Sequence, residues 1–294
     1  MLFRCVEWQA EMNIQRIIGT GFLICGLIYA FFIGRSILRS KVKEEKGSLP
    51  LLMGLEFVIY FLCTLGVSDF LLNTLTVRRL KLAEDKALPS CLIASTIVPG
   101  AIIAFSFLKA ENSVDWLTLV LWMVFLAAGG VLGAKAVDKM NGAVIKKVMG
   151  FALICSLIAL IVKMIVTAGT SGSDTGLRGI KLVTMCVMCL VIGFINMLGV
   201  PTKPAATALL LLLGLSPLTT LTLTLVLGCI TPMSGGASIV KASRYNKKMV
   251  LSAMTAGSLA AITGCMMAVS LNALLLNIVL IAVMLIAIIS IFRK

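Results

Sequence analysis

Histidine is absent from the chain. Its absence removes imidazole, the usual general acid–base group near neutral pH and the commonest ligand of transition metals. Charge is scarce as well: Asp, Glu, Lys and Arg make up 13% of the 294 residues, and acidic residues are the rarer sign, 12 against 26 basic ones. A soluble domain of this size could not cover its surface with so few charges. Hydrophobic residues account for 60% of the chain and the mean hydropathy is +1.10.

What is present instead is a succession of apolar runs, at 17–38, 50–66, 88–108, 117–135, 148–168, 182–199, 217–240, 249–269 and 272–292. Each approaches the roughly 20 apolar residues that a membrane span requires. The connectors leave no room for a soluble catalytic domain. The expected class is therefore all-α, a polytopic membrane protein with nine transmembrane helices. The run 17–33 is followed by Arg35, Arg39, Lys41 and Lys43 rather than by a small-residue cleavage site, so it reads as a retained helix and not a signal peptide.

The net charge of +14 would point to nucleic acid in a soluble protein. Here Lys and Arg concentrate in connectors, where they orient helices in a bilayer. The basic segments are 35–46, 78–86, 135–147, 241–248 and the Arg293-Lys294 terminus, whereas 109–115 and 270–272 are poor in both residues. Two short stretches, 67–77 and 200–214, directly follow the second and sixth runs and read as re-entrant half-helices. If each returns its chain to the side it came from, every basic connector lies in the cytoplasm, with the N-terminus outside and the C-terminus inside. Of the nine cysteines most lie in apolar runs; Cys186 and Cys189 have CxxC spacing without a second pair and read as packing residues.

The chain also repeats itself. An offset of 133 residues (199 − 66) pairs Gly66 with Gly199, Thr74 with Thr207 and Pro99 with Pro232, along with Phe61/Phe194, Val67/Val200 and Ile97/Ile230. The two copies begin on opposite sides, so the repeats are inverted. The organisation expected is an added helix and basic connector (1–49), a first membrane repeat (50–168), a linker (169–181) and a second membrane repeat (182–294). Inverted repeats with interrupted helices are an architecture of secondary transporters, whose substrate site lies near the midplane where the broken helices meet.

Val114-Asp115-Trp116 opens a helix that continues to Gly129-Gly130-Val131-Leu132-Gly133-Ala134; a basic connector and Val148-Met149-Gly150 follow. Leu198-Gly199-Val200-Pro201 and Gly214-Leu215-Ser216-Pro217 are similarly placed in the second half. In these motifs, residues 50–292 resemble the TauE/SafE sulfite-exporter family, also called toluene-sulfonate uptake permeases. The resemblance implies transport of small sulfur-containing or carboxylate anions across the cytoplasmic membrane. The first hairpin departs from the family's glycine-rich run, reading Gly66-Val67-Ser68-Asp69 and continuing to Asn73-Thr74, so sulfite does not carry over directly.

Lys203 stands between Pro201 and Pro204, far from any basic connector. A charge at membrane depth is costly and faces a cavity or snorkels to the surface. With Thr202 and Thr207 beside it, its ammonium suits an oxyanion. Asp69 occupies the position matching Thr202 (202 − 69 = 133). It reads as the ion partner of Lys203, a proton carrier, or a cap of the half-helix that follows. Ser68, Asn73 and Thr74 are candidates of the same kind. Pro99 and Pro232 free carbonyls and kink helices at matching positions, which would bring Ser95, Thr96, Thr231 and Ser234 toward one cavity; packing kinks are the plainer alternative. Gly129 and Gly133 read as helix packing, Glu56 as an interfacial residue or a proton relay, and Lys163 as a snorkelling residue.

The function expected is a permease for a small anion (sulfite, an organosulfonate or a related sulfur or carboxylate oxyanion) acting by alternating access. The alternative is a non-transporting assembly or sensor subunit. No enzyme activity, cofactor, metal or nucleic-acid partner is expected. The partners are the anion and the lipid bilayer, with homo-oligomerisation left open.

Overall fold

The computed structural model describes residues 2–40, 44–84, 86–110, 114–140, 172–242 and 245–268. The expected spans 148–168 and 272–292, together with Lys163 and the basic residues Lys41, Lys43, Lys146, Lys147, Arg244, Arg293 and Lys294, lie outside them. The described chain is helical, with no strand among the described residues. Its elements are α1 (Leu2–Leu38), α2 (Leu49–Thr64), α3 (Asp69–Arg79), α4 (Leu88–Lys109) and α5 (Trp116–Lys139). They continue with α6 (Gly179–Met197), α7 (Lys203–Leu212), α8 (Pro217–Ala242) and α9, which runs Lys247–Ser252, one π turn Ala253–Gly257 and Ser258–Ala268.

Six helices are long and apolar enough to cross a membrane: the Asn13–Leu38 part of α1, α4, α5, α6, α8 and α9. Two expectations shift. The first helix begins at Leu2 rather than at 17, because a helix continues through charged residues that end a hydropathy run. The second run forms a helix of only 16 residues, since Gly66 breaks it before it reaches full crossing length.

Helix ends recur at a fixed offset. α2 and α6 stop at Thr64 and Met197, and α3 and α7 at Arg79 and Leu212, each pair 133 apart. The stops have one cause. Gly66 and Gly199 adopt φ +88° and +83°, a left-handed conformation that a side chain resists. The half-helices end the same way at Lys81 (φ +50°) and Gly214 (φ +99°), followed by Leu82 N–H donating to Val77 O at 3.0 Å and Leu215 N–H to Leu210 O at 3.2 Å. Further on, the offset becomes 131 (246 − 115): Asp115 and Asn246 cap α5 and α9, accepting from the N–H groups of Thr118 at 2.9 Å and Met249 at 3.0 Å.

Hydrogen bonds show where each hairpin returns. Asn246 Nδ2 donates to Lys46 O at 3.1 Å and Leu82 O at 3.2 Å, so the start of α2, the end of α3 and the start of α9 meet at one end of the bundle. Lys248 Nζ donates to the carbonyls of Glu45 and Gly47 there. At the other end, Asp174 N–H donates to Gly214 O at 3.3 Å, and Asp115 N–H to Thr175 O at 2.9 Å. Gln15 Nε2 joins that end through Val114 O at 2.6 Å. Three of the basic connectors thus share one end, and residues 114–115, 174–175 and 214 meet at the other. α2–α3 opens toward the first end and α6–α7 toward the second.

Between these ends α4 and α8 cross at the centre, where a Cβ on Gly100 would meet the Gly228 carbonyl at 3.2 Å. That carbonyl is the one that Pro232 leaves without its helical partner. α5 packs on α6, and α9 on α2. Contact is backbone to backbone: a side chain at Gly129 or Gly133 would meet the carbonyls of Leu190 or Phe194, and one at Gly193 the carbonyl of Leu126. α1 lies on α4 through Gly19 and Gly26 and turns Ile24, Leu27 and Phe31 outward.

Gly129→Ala is expected to force α5 from α6 and lower stability by about 1–3 kcal/mol, read from thermal unfolding in detergent; an unchanged midpoint would contradict the close approach. The cap of α5 gives a pH dependence. Burial acts to raise the Asp115 carboxyl, but the Arg178 guanidinium, bonded to both of its oxygens at 2.7 Å, and the Thr118 N–H and hydroxyl outweigh burial and hold it below the usual carboxylate range. A carboxyl depressed on folding contributes stability above its unfolded value of about 3.9 and loses it as pH falls through the lower folded value. Acidification through this range should destabilise the wild type more than Asp115→Asn; equal acid sensitivity would count against it.

Candidate functional site

The half-helices α3 and α7 start at the two glycine breaks, and their first residues meet. Lys203 Nζ lies 2.6 Å from Asp69 Oδ1 and donates to Cys63 Sγ at 3.0 Å. The Lys203 side chain is 6% exposed and that of Asp69 1%. Lys203 therefore does not snorkel, and Asp69 is the ion partner rather than a cap. The residue in the cap position of α3 is Ser68, and its hydroxyl makes no capping bond. Thr202, in the same position on α7, makes none either. Two helix N-termini, each carrying partial positive charge, thus converge on the pair without a side-chain cap.

The other Asp69 oxygen is held from α4. Thr96 Oγ1 lies 2.7 Å from Asp69 Oδ2 and 2.9 Å from Leu92 O, so its single hydrogen serves one acceptor at a time. Tyr60 OH stands 3.2 Å from the same Thr96 oxygen and can donate to it. Gly228 on α8 makes room for the lysine, since a Cβ there would meet Lys203 Cε at 2.9 Å and Nζ at 3.1 Å.

A second network adjoins the first through the Thr202–Lys203 step. Asn196 Nδ2 donates to Thr202 Oγ1 at 2.8 Å, and Thr231 Oγ1 lies 2.7 Å from Asn196 Oδ1 and 2.8 Å from Leu227 O, its hydrogen serving one at a time. The two networks mirror each other in sequence: Cys63 and Asp69 stand 133 residues before Asn196 and Thr202.

Of the sequence-predicted residues, Lys203, Asp69 and Thr96 form one network, and Thr202 and Thr231 the other. Ser68, Asn73 and Thr74 are buried with side-chain polar atoms that have no hydrogen-bond partner. The hydroxyls of Thr207 and Ser234 join neither network. Thr207 returns its hydroxyl to Lys203 O at 2.9 Å on its own helix. Ser234 sits over Gly130 at the contact of α5 and α8, its hydroxyl bonded to Thr231 O at 2.9 Å. Short hydroxyl side chains satisfy themselves on the preceding turn whenever no better partner is in reach. Ser95 does the same with Leu92 O. Cys186 and Cys189 pack in the core with Trp122 and Leu126.

Sequence reasoning missed Asn196, Tyr60 and Cys63. Asn196 had a signal: a lone amide one turn before a glycine break, at the register of Cys63.

A buried ion pair whose partner is removed leaves an uncompensated charge, at a cost of about 3–5 kcal/mol. Lys203→Met should destabilise the protein on that scale, whereas Asp69→Asn/Lys203→Met should recover most of the loss in detergent unfolding. A double variant as unstable as the single one would break the argument. No family model, curated protein or solved structure matches the chain.

Proposed function

We propose that the chain is a permease for a small oxyanion, with sulfite, organosulfonates and small carboxylates as the substrate class, acting by alternating access in the cytoplasmic membrane. The observation that carries this reading is the meeting of two half-helix N-termini without side-chain caps at a buried lysine. Helix N-termini and a desolvated ammonium are attractive to anions. In the arrangement described, the place of the anion is held by the Asp69 carboxylate.

The substrate site in this reading is Lys203, Thr202 and the backbone N–H groups of the hairpins. An incoming oxyanion competes with Asp69 for the ammonium. Two anions cannot share one buried cation without a cost, so Asp69 must take a proton or withdraw when substrate binds. Thr96, which holds the outer oxygen of Asp69, is placed to steer that exchange. Ser68, Asn73 and Thr74, buried without partners, supply further donors near the first hairpin.

The return of each hairpin to its own end of the bundle, and the recurrence of helix ends at one offset, support two inverted repeats with re-entrant hairpins within a nine-span chain. Clustering of the basic connectors supports a cytoplasmic position for that end, an outside N-terminus and a cytoplasmic C-terminus. An anion leaves an inside-negative cell downhill, so export in this scheme needs no tight coupling, whereas uptake does.

The test is anion flux in proteoliposomes with sulfite, small sulfonates and carboxylates. Saturable flux of one of these anions, reduced at least tenfold by Lys203→Met in protein that remains folded, is the expected result. Flux untouched by the substitution would remove Lys203 from the site. Absence of flux for all of them would favour a non-transporting assembly or sensor subunit.

A further inference from the structure

Next to the ion pair, α2 carries a second carboxyl that the anion site leaves unused. Glu56 is fully buried, and neither of its oxygens has a hydrogen-bond partner. Asn73 of α3 faces it, but its amide oxygen and nitrogen are likewise without partners in hydrogen-bonding geometry. Glu56, Tyr60 and Cys63 recur at i, i+4 and i+7 and so share one face of α2. The face ends at the pair: Tyr60 reaches Thr96, which reaches Asp69, and Cys63 touches Lys203. Glu56 is seven residues into α2, roughly 10 Å from the end where the basic connectors gather.

Asp69 and Lys203 cancel each other. An ionised Glu56 would then be an unpaired charge in a dry interior, which such groups avoid by taking a proton. Its surroundings offer the Asn73 amide but no positive charge. Asp69 of α3 is negative, Lys203 of α7 is already paired, and Tyr60, Cys63 and, from α4, Cys91 carry no positive charge. α9, packed against α2, brings Cys265 and, at its start, Lys247 and Lys248, both engaged at Glu45. A hard metal cation would need on the order of six oxygen ligands, and the described residues contain no cluster of three His, Cys, Asp or Glu side chains.

We infer that Glu56 is a proton-binding site which, loaded from the basic-connector end, relays its proton through the Tyr60 and Thr96 hydroxyls to Asp69 and frees Lys203 for the oxyanion. The first step requires the Glu56 side chain, without a hydrogen-bond partner at rest, to swing to Tyr60 one turn along α2; Tyr60 then accepts its proton and gives its own to Thr96, Thr96 gives its own to Asp69, and a proton from the connector end restores Glu56. The hand-over rests on the permease reading; the proton site does not.

The experiment is infrared difference spectroscopy of the full chain in liposomes, titrated in H2O and D2O. Wild type is expected to show a protonated-carboxyl C=O band at neutral pH that shifts in D2O and is lost in Glu56→Gln. Glu56→Asp keeps the band at a displaced frequency. Lys203→Met adds a second band, because Asp69 without its ammonium takes a proton. A wild type lacking the band, a band unchanged in Glu56→Gln, or a band removed when sodium replaces choline at constant pH would overturn the proton site. No second band in Lys203→Met would overturn the hand-over. None of these readouts requires anion flux, so failure here is distinct from failure of the permease reading.

Discussion

An ammonium and a carboxylate 2.6 Å apart and sealed from water are tolerable only together. Separating them inside the bundle exposes two charges to a medium that solvates neither. The rest of the architecture is arranged around that condition. It requires two chain segments to deliver their first residues to one point, which is why the chain breaks at a glycine after both α2 and α6 and restarts. It requires space for a long side chain, supplied by Gly228, and a third helix to hold the spare carboxylate oxygen, supplied by Thr96 of α4. The prolines of α4 and α8 lie within one turn of the residues that reach the two networks, Thr96 and Thr231. The carbonyls that these prolines leave without a helical partner are thus local to the site.

The ends of the bundle are tied by a few polar residues that cap a helix and bridge connectors at once. Asn246 caps α9 while its amide joins the connectors that precede α2 and follow α3. Asp115 caps α5 while holding Arg178. Double duty of this kind suits a chain with few charges, because each polar side chain must satisfy several backbone groups. It also fixes the hairpins at their open ends. The middle, where the half-helices meet, is held by side chains alone.

Much of this was legible in the residues. Gly66 and Gly199 at one register announced the breaks, Pro99 and Pro232 the central crossing, and Lys203 its own importance by standing alone in apolar sequence. The rest was hidden for definite reasons. Cys63 and Tyr60 are ordinary in apolar helices, and only their spacing from Glu56 and from the break gives them meaning once a partner is known. Thr207 and Ser234 look like Thr202 and Thr231 in sequence; whether a hydroxyl bonds its own helix or a neighbour depends on rotation about the helix axis, which composition does not record. The start of α1 was missed because charge ends a hydropathy run without ending a helix. The two-residue change of offset between the caps Asp115 and Asn246 lies in connectors, where insertions leave packing untouched.

Lys203 follows Asp69 by 134 residues, and that distance is also a delay. A ribosome adding roughly 5–20 residues per second leaves the carboxyl without its lysine for on the order of ten seconds. During that interval Thr96, only 27 residues downstream, is the nearest of its final partners to emerge. The first half of the chain therefore enters the bilayer carrying an acid that must stay neutral or stay wet until Lys203 arrives, and the order of synthesis makes α7 the element that completes the pair before α8 and α9 follow.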